Sequence, residues 1–167
     1  WTHIVGKQIG RPFDFPWPLF CSMGGMSAVD TCKRLKADYG FDLNVEQLLA
    51  DGHEFLEEHL AKDVTARTEV VAVVHHVRGL GHKTAVASAG RRDHVFTTLK
   101  QIDITHLFDA IITAEDAVRS KPHPDLFLAA ADRLGLKPAD CVVIEDSPRG
   151  KEAADAAGMP CILVEPA

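Results

Sequence analysis

The sequence predicts an α/β fold: a parallel sheet flanked by helices, with a small helical cap ahead of it. Three observations predict it. The second half of the 167 residues alternates short apolar runs rich in β-branched residues with longer amphipathic stretches, the rhythm of parallel strands joined by crossover helices. The short runs TAVAS, AIIT, CVVIE and CILVE are apolar without alternation, as expected of strands covered on both faces. The first half carries helical stretches and no convincing strand.

Taken in order, helices are expected over residues 3–9, 26–39 and 45–62. Residues 10–18 hold three prolines and several aromatics, which predicts a loop rather than a helix. The junction is expected at residues 63–68, giving a cap over 1–65 and an α/β core over 66–167. Within the core, strands are expected over 83–88, 109–113, 141–146 and 160–165. The helices between them have readable ends: 68–78 closed by Gly79 and Gly81, 92–102, 124–134 closed by Gly135, and 149–157 closed by Gly158. Pro124 and Asp125 suit a helix start, because proline is tolerated in the first turn and a carboxylate stabilises the positive end of the dipole.

Composition narrows the function classes. A hydrophobic content of 46% over this length buries a proper core. A formal net charge of -6 without a dense Lys/Arg run argues against nucleic acid as a partner. Cys21, Cys32, Cys141 and Cys161 are widely spaced, with no CxxC that would suggest zinc. No apolar stretch approaches the roughly 18 residues of a membrane span, so a protein with no membrane partner in a cytoplasmic setting is the default expectation.

Three segments carry chemistry. In CVVIEDSPRG, an apolar strand ends in Glu145 and Asp146 before a turn into a helix. Ligands of open α/β sheets bind beyond the carboxyl ends of the strands, and hard carboxylate oxygens there suit Mg²⁺. In SKPHPD, Lys121 precedes a helix start stiffened by Pro122 and Pro124; a lysine so held is a point charge able to neutralise a phosphate. In VASAG, a strand ends in Ser88 and Ala89 just before a helix, where a hydroxyl and backbone N–H groups form a phosphate cradle. Each is ambiguous alone. Their coincidence at three strand ends favours a phosphate site.

In order and spacing these three segments resemble the second, third and fourth motifs of the haloacid dehalogenase superfamily, in its β-phosphoglucomutase-like branch with a helical cap on a Rossmann-like core. The resemblance implies that Ser88 hydrogen-bonds a phosphoryl oxygen and that Lys121 offsets charge on the phosphate and the nucleophile. It implies that Asp146 ligates Mg²⁺ while Glu145 assists directly or through water. The loop at residues 23–27, with Gly25 and Ser27, occupies the place where relatives read the substrate. The arginine expected of a sugar-phosphate mutase is not evident, since Ala28 and Val29 follow Ser27.

The first motif of that superfamily, a strand ending in Asp-x-Asp-Gly, supplies the aspartate that is phosphorylated and a second that acts as general acid and base. It does not occur in this sequence. Asp14, in FDFP, lacks the second aspartate and is flanked by prolines that disfavour a central strand. In relatives this strand lies between those expected at 83–88 and 141–146, so its absence leaves a gap of about twice the ~4.8 Å strand spacing. Together with the first residue, Trp1, this leads to the expectation of a fragment.

The expected function is Mg²⁺-dependent phosphoryl transfer on a small phosphorylated metabolite such as a sugar phosphate. Hydrolysis is favoured over a mutase, with a monomer expected at full length. The alternatives are a mutase, a phosphate-binding module without turnover, or a response-regulator-like receiver, against which the helical first half argues. His75 and His76, adjacent on a helix, point about 100° apart and do not converge on one ion. His94, His106 and His123 are isolated in sequence; His123, near Lys121, is placed to line a pocket.

Overall fold

The computed structural model describes residues 1–165, apart from the side chains of residues 56–63. Four helices come first: α1 (Thr2–Ile9), α2 (Trp17–Ser22), α3 (Ala28–Tyr39) and α4 (Val45–Asp63). The Ser27 hydroxyl accepts the Asp30 N–H at the start of α3, and the Asn44 side chain accepts the Gln47 N–H at the start of α4, satisfying donors that a helix leaves unpaired in its first turn. The proline-rich loop is shorter than expected. Trp17 and Pro18 already belong to α2, because proline costs little in a first turn, where its missing N–H has no partner to lose.

These helices close on one apolar cluster of Ile4, Val5, Met23, Cys32, Leu35, Phe41 and Leu48. Phe13 packs edge-on against Phe41 with ring centroids 5.1 Å apart. Leu35, fully buried on α3, is a keystone of this cluster. Its replacement by alanine is expected to cost about 2–5 kcal/mol, read as a lowered urea midpoint.

The remaining elements alternate: α5 (Thr68–Gly79), β1 (Ala85–Ala87), α6 (Arg92–Gln101), β2 (Ala110–Ile112), α7 (Asp125–Leu134), β3 (Val143–Glu145), α8 (Pro148–Ala156) and β4 (Cys161–Leu163). β1 pairs in parallel with β2, Ala85 opposite Ala110, and β3 pairs in parallel with β4, Val143 opposite Cys161. Parallel neighbours need a crossover, supplied here by α6 and α8. α7 joins the two pairs. Its Leu126 and Ala130 pack with Ile112, while Phe127 and Ala131 pack with Val143, Ala153, Ala154 and Met159.

The strands form two separate two-stranded sheets. Among the described residues no strand pairs with the other edge of β1 or of β3. Those are the two edges that the sequence-based expectation places on either side of a gap. The expectation that all strands are covered on both faces is corrected: Val142 is 62% exposed and Ile162 is 56% exposed. α8 packs on the β3–β4 pair, and the residues of the opposite face are left apolar but open.

Candidate active site

The carboxyl ends of β1 and β3 and the loop ahead of α7 carry the expected residues. Lys121 is buried, and its ammonium lies 2.8 Å from Glu145 Oε2, with both side chains about nine-tenths covered. The same ammonium sits 4.9 Å from the centre of the Phe127 ring, an arrangement that favours a cation. Arg149, from the first turn of α8, donates from Nη2 to the Lys121 carbonyl at 2.8 Å. The lysine is thereby held at both its backbone and its ammonium.

Glu145 is equally constrained. Its Oε1 accepts the Ser147 hydroxyl at 2.7 Å and the Ser147 N–H at 3.3 Å. The Ser147 hydroxyl in turn accepts the Gly150 N–H at 3.0 Å, capping α8. The Glu145 carboxylate lies directly over Gly150, where an added Cβ would stand 2.0 Å from Glu145 Cδ. Ser147, Arg149 and Gly150 were not singled out from the sequence, although a glycine inside a helix is a signal of close packing.

Burial pushes the Glu145 carboxyl up, but the Lys121 ammonium and the hydrogen bonds from Lys121 and Ser147 outweigh it and hold the group below its ordinary value. A lowered carboxyl contributes stability that is complete above its unfolded pKa, about 4.3, and is lost as pH falls through the folded value. The stability difference between the protein and Glu145→Gln is therefore expected to be flat from about pH 8 to 5 and to shrink below about pH 4. Urea titrations at stepped pH check this.

Asp146, one residue on, is exposed and makes no hydrogen bond or ion pair among the described residues. Ser88 extends β1, its N–H donating to the Ile112 carbonyl at 2.9 Å, and its hydroxyl accepts the Gly90 N–H at 3.1 Å. The start of α6 is not fully open, because Glu115, after β2, accepts the Arg92 N–H at 3.1 Å. Thr113 is buried there, held with Asp116 in a reciprocal cap.

The loop ahead of α3 reaches this centre. Gly25, at φ +77, accepts the Ser120 hydroxyl at 3.0 Å, and a Cβ on it would meet the Lys121 side chain at 3.2 Å. Beside it lies a cavity of about 390 Å³, walled by Ser27, Asp30 and Lys33 from the helical half and by Ala89, Arg119 and His123 from the other. Ser88, Lys121, Glu145 and Asp146 do not line it, but their neighbours Ala89 and Ser120 do. The cavity and the charged centre are thus adjacent spaces.

Asp14 is exposed on the loop between α1 and α2, where the flanking Phe13 and Phe15 pack on the helical cluster. His75, His76 and His106 are exposed. No helix among the described residues is long and apolar enough to cross a membrane.

The sequence profile of the haloacid dehalogenase-like hydrolases matches residues 21–164. The chain belongs to that family. This haloacid dehalogenase-like chain is 33% identical over 165 residues to the Bacillus subtilis (strain 168) protein "Putative phosphatase YhcW", spanning 98% of the chain and 66% of YhcW. It is 40% identical over 86 residues to Fructose-1-phosphate phosphatase YqaB of Escherichia coli (strain K12), covering 52% of the chain and 42% of YqaB. The chain thus spans under two thirds of the length of these relatives. In fold it resembles the crystal structure of beta-Phosphoglucomutase (pgmB) from Clostridium difficile, with a TM-score of 0.79, 24% identity, and coverage of 99% of this chain and 75% of that one.

Proposed function

We propose that this chain is the phosphate- and cation-binding part of a Mg²⁺-dependent phosphatase acting on a small sugar phosphate, with residues 1–65 as cap and 66–167 as core. The observation that carries the reading is the buried Lys121–Glu145 pair, fixed at the strand ends under the Gly25 loop and next to a cavity shared by both halves. The similarity to Fructose-1-phosphate phosphatase YqaB supports a sugar phosphate as substrate.

Lys121 offsets phosphate charge, and Glu145 holds it, with one oxygen on the Lys121 ammonium and the other on the Ser147 hydroxyl. The Ser88 hydroxyl and the Ala89 N–H, which donate to no other described residue, take phosphoryl oxygens. Asp146 fits Mg²⁺, because one open carboxylate supplemented by water and substrate oxygen meets that ion's needs. When bound there, the ion would neutralise charge on the phosphate. Loss of the Asp146 charge in Asp146→Asn is expected to weaken Mg²⁺ at least about tenfold, roughly 1.4 kcal/mol, by titration calorimetry.

Phosphoryl transfer itself requires aspartates that these 167 residues do not supply in an Asp-x-Asp-Gly sequence. We infer that the active protein carries them on further residues, so this chain is a fragment, and that the two-stranded sheets flank their strand. Hydrolysis is favoured over a mutase because Ala28 opens α3 where a sugar-phosphate arginine would be needed. The protein as isolated from its source, given a panel of three- to six-carbon sugar phosphates, is expected to release phosphate with Mg²⁺ and not with EDTA. Absence of release across the panel with Mg²⁺ present would leave only phosphate binding.

A further inference from the structure

We propose that His53, Asp93 and His94 form a binding site for a borderline transition-metal ion of the Zn²⁺ type, at the crossing of α4 and α6. His53 belongs to α4 in the helical half, and Asp93 and His94 open α6 in the α/β half. Their donor atoms all lie within 4.8 Å of one another. The two helices pack directly on each other at this point. The cluster includes none of Ser88, Lys121, Glu145 and Asp146 and offers imidazole as well as carboxylate donors.

His53 Nδ1 and His94 Nε2 share a hydrogen bond of 2.9 Å, one ring donating and the other accepting. The rings are within 12° of parallel with centroids 5.1 Å apart, so they meet edge to edge. Imidazole nitrogens bind Zn²⁺ at about 2.0–2.1 Å, which places two neighbouring donors on one ion roughly 3.0–3.4 Å apart. The pair needs to widen by a few tenths of an ångström and to turn both lone pairs toward one point. Both rings bind as neutral imidazoles. The ring that carries the shared proton takes its other tautomer, so that each ligating nitrogen presents a lone pair.

Asp93 supplies the third ligand. Its Oδ2 lies 3.9 Å from His53 Nδ1 and also accepts the Arg91 guanidinium at 2.9 Å. The His53 side chain is 42% exposed and that of Asp93 is 40% exposed, which leaves an entry path and room for water in the remaining positions. Two imidazoles and one carboxylate select a borderline ion over Mg²⁺. A bound ion ties the helical half to the α/β half.

Titration of Co²⁺ into this chain, followed by calorimetry and by visible absorption, tests the site. One saturable site per chain with visible bands is expected, undisturbed by millimolar Mg²⁺. His53→Ala and His94→Gln are each expected to weaken it by more than the roughly 10–100-fold that loss of a residue supporting a metal ligand costs. Asp93→Asn is expected to weaken it less. His75→Ala/His76→Ala, at exposed positions on α5, is expected to leave it unchanged. Absence of a saturable site, displacement by Mg²⁺, or full affinity in His53→Ala and His94→Gln chains with unaltered circular dichroism would overturn the proposal.

Discussion

Gly150→Ala is expected to unseat Glu145 and to destabilise the protein by about 3–5 kcal/mol, the cost of breaking a buried ion pair. Helix propensity alone points the other way. Glycine inside a helix is about 0.5–1 kcal/mol worse than alanine, and Gly150 lies inside α8. Propensity loses here because the new methyl would stand 2.0 Å from Glu145 Cδ and 2.3 Å from Oε1, distances no side chain tolerates. Glu145 must swing away, releasing the Lys121 ammonium and the Ser147 hydroxyl together. A urea midpoint at or above that of the unmodified protein would show that the carboxylate has another place to go.

Lys121→Met is the second large effect. The side chain keeps most of its length against Phe127 but leaves the Glu145 charge buried, with only the Ser147 donors. A loss of about 3–5 kcal/mol is expected. In the double variant Lys121→Met/Glu145→Gln, no unpaired charge remains and the Ser147 hydrogen bonds can persist. It should therefore recover a substantial part of that loss, since removing both members of a buried pair costs far less than removing one. A double-mutant cycle by urea unfolding measures the coupling. Additive losses would mean that the two groups do not sense each other.

Much of this was legible in the sequence. The strand positions were, because unalternating apolar runs rich in β-branched residues have few other uses, and the helix stops near Gly135 and Gly158 follow from their left-handed backbone. Strand lengths were not. Residues 141–146 read as a six-residue strand, but only Val143–Glu145 is paired, since pairing depends on a neighbouring strand and not on the local run. Ser88, Lys121, Glu145 and Asp146 were legible as a group of strand-end residues. Their division of labour was not, because the Lys121–Glu145 pair joins positions 24 residues apart and only the fold turns one carboxylate inward and leaves the next exposed. His53 carried no signal at all, since its partners lie 40 and 41 residues away on a helix of the other half.

The central claim is that the ends of β1 and β3, with Lys121 between them, bind phosphate together with a divalent cation. It is tested most directly by titrating inorganic phosphate into this chain with Mg²⁺ present, comparing the unmodified protein with Ser88→Ala. That substitution removes one hydroxyl at a half-buried position and leaves the Lys121–Glu145 pair untouched. One saturable phosphate per chain is expected, weakened about tenfold in Ser88→Ala, roughly 1.4 kcal/mol, and lost when EDTA removes the cation. Phosphate binding that does not saturate, or that is equal in both proteins and indifferent to EDTA, would contradict the account.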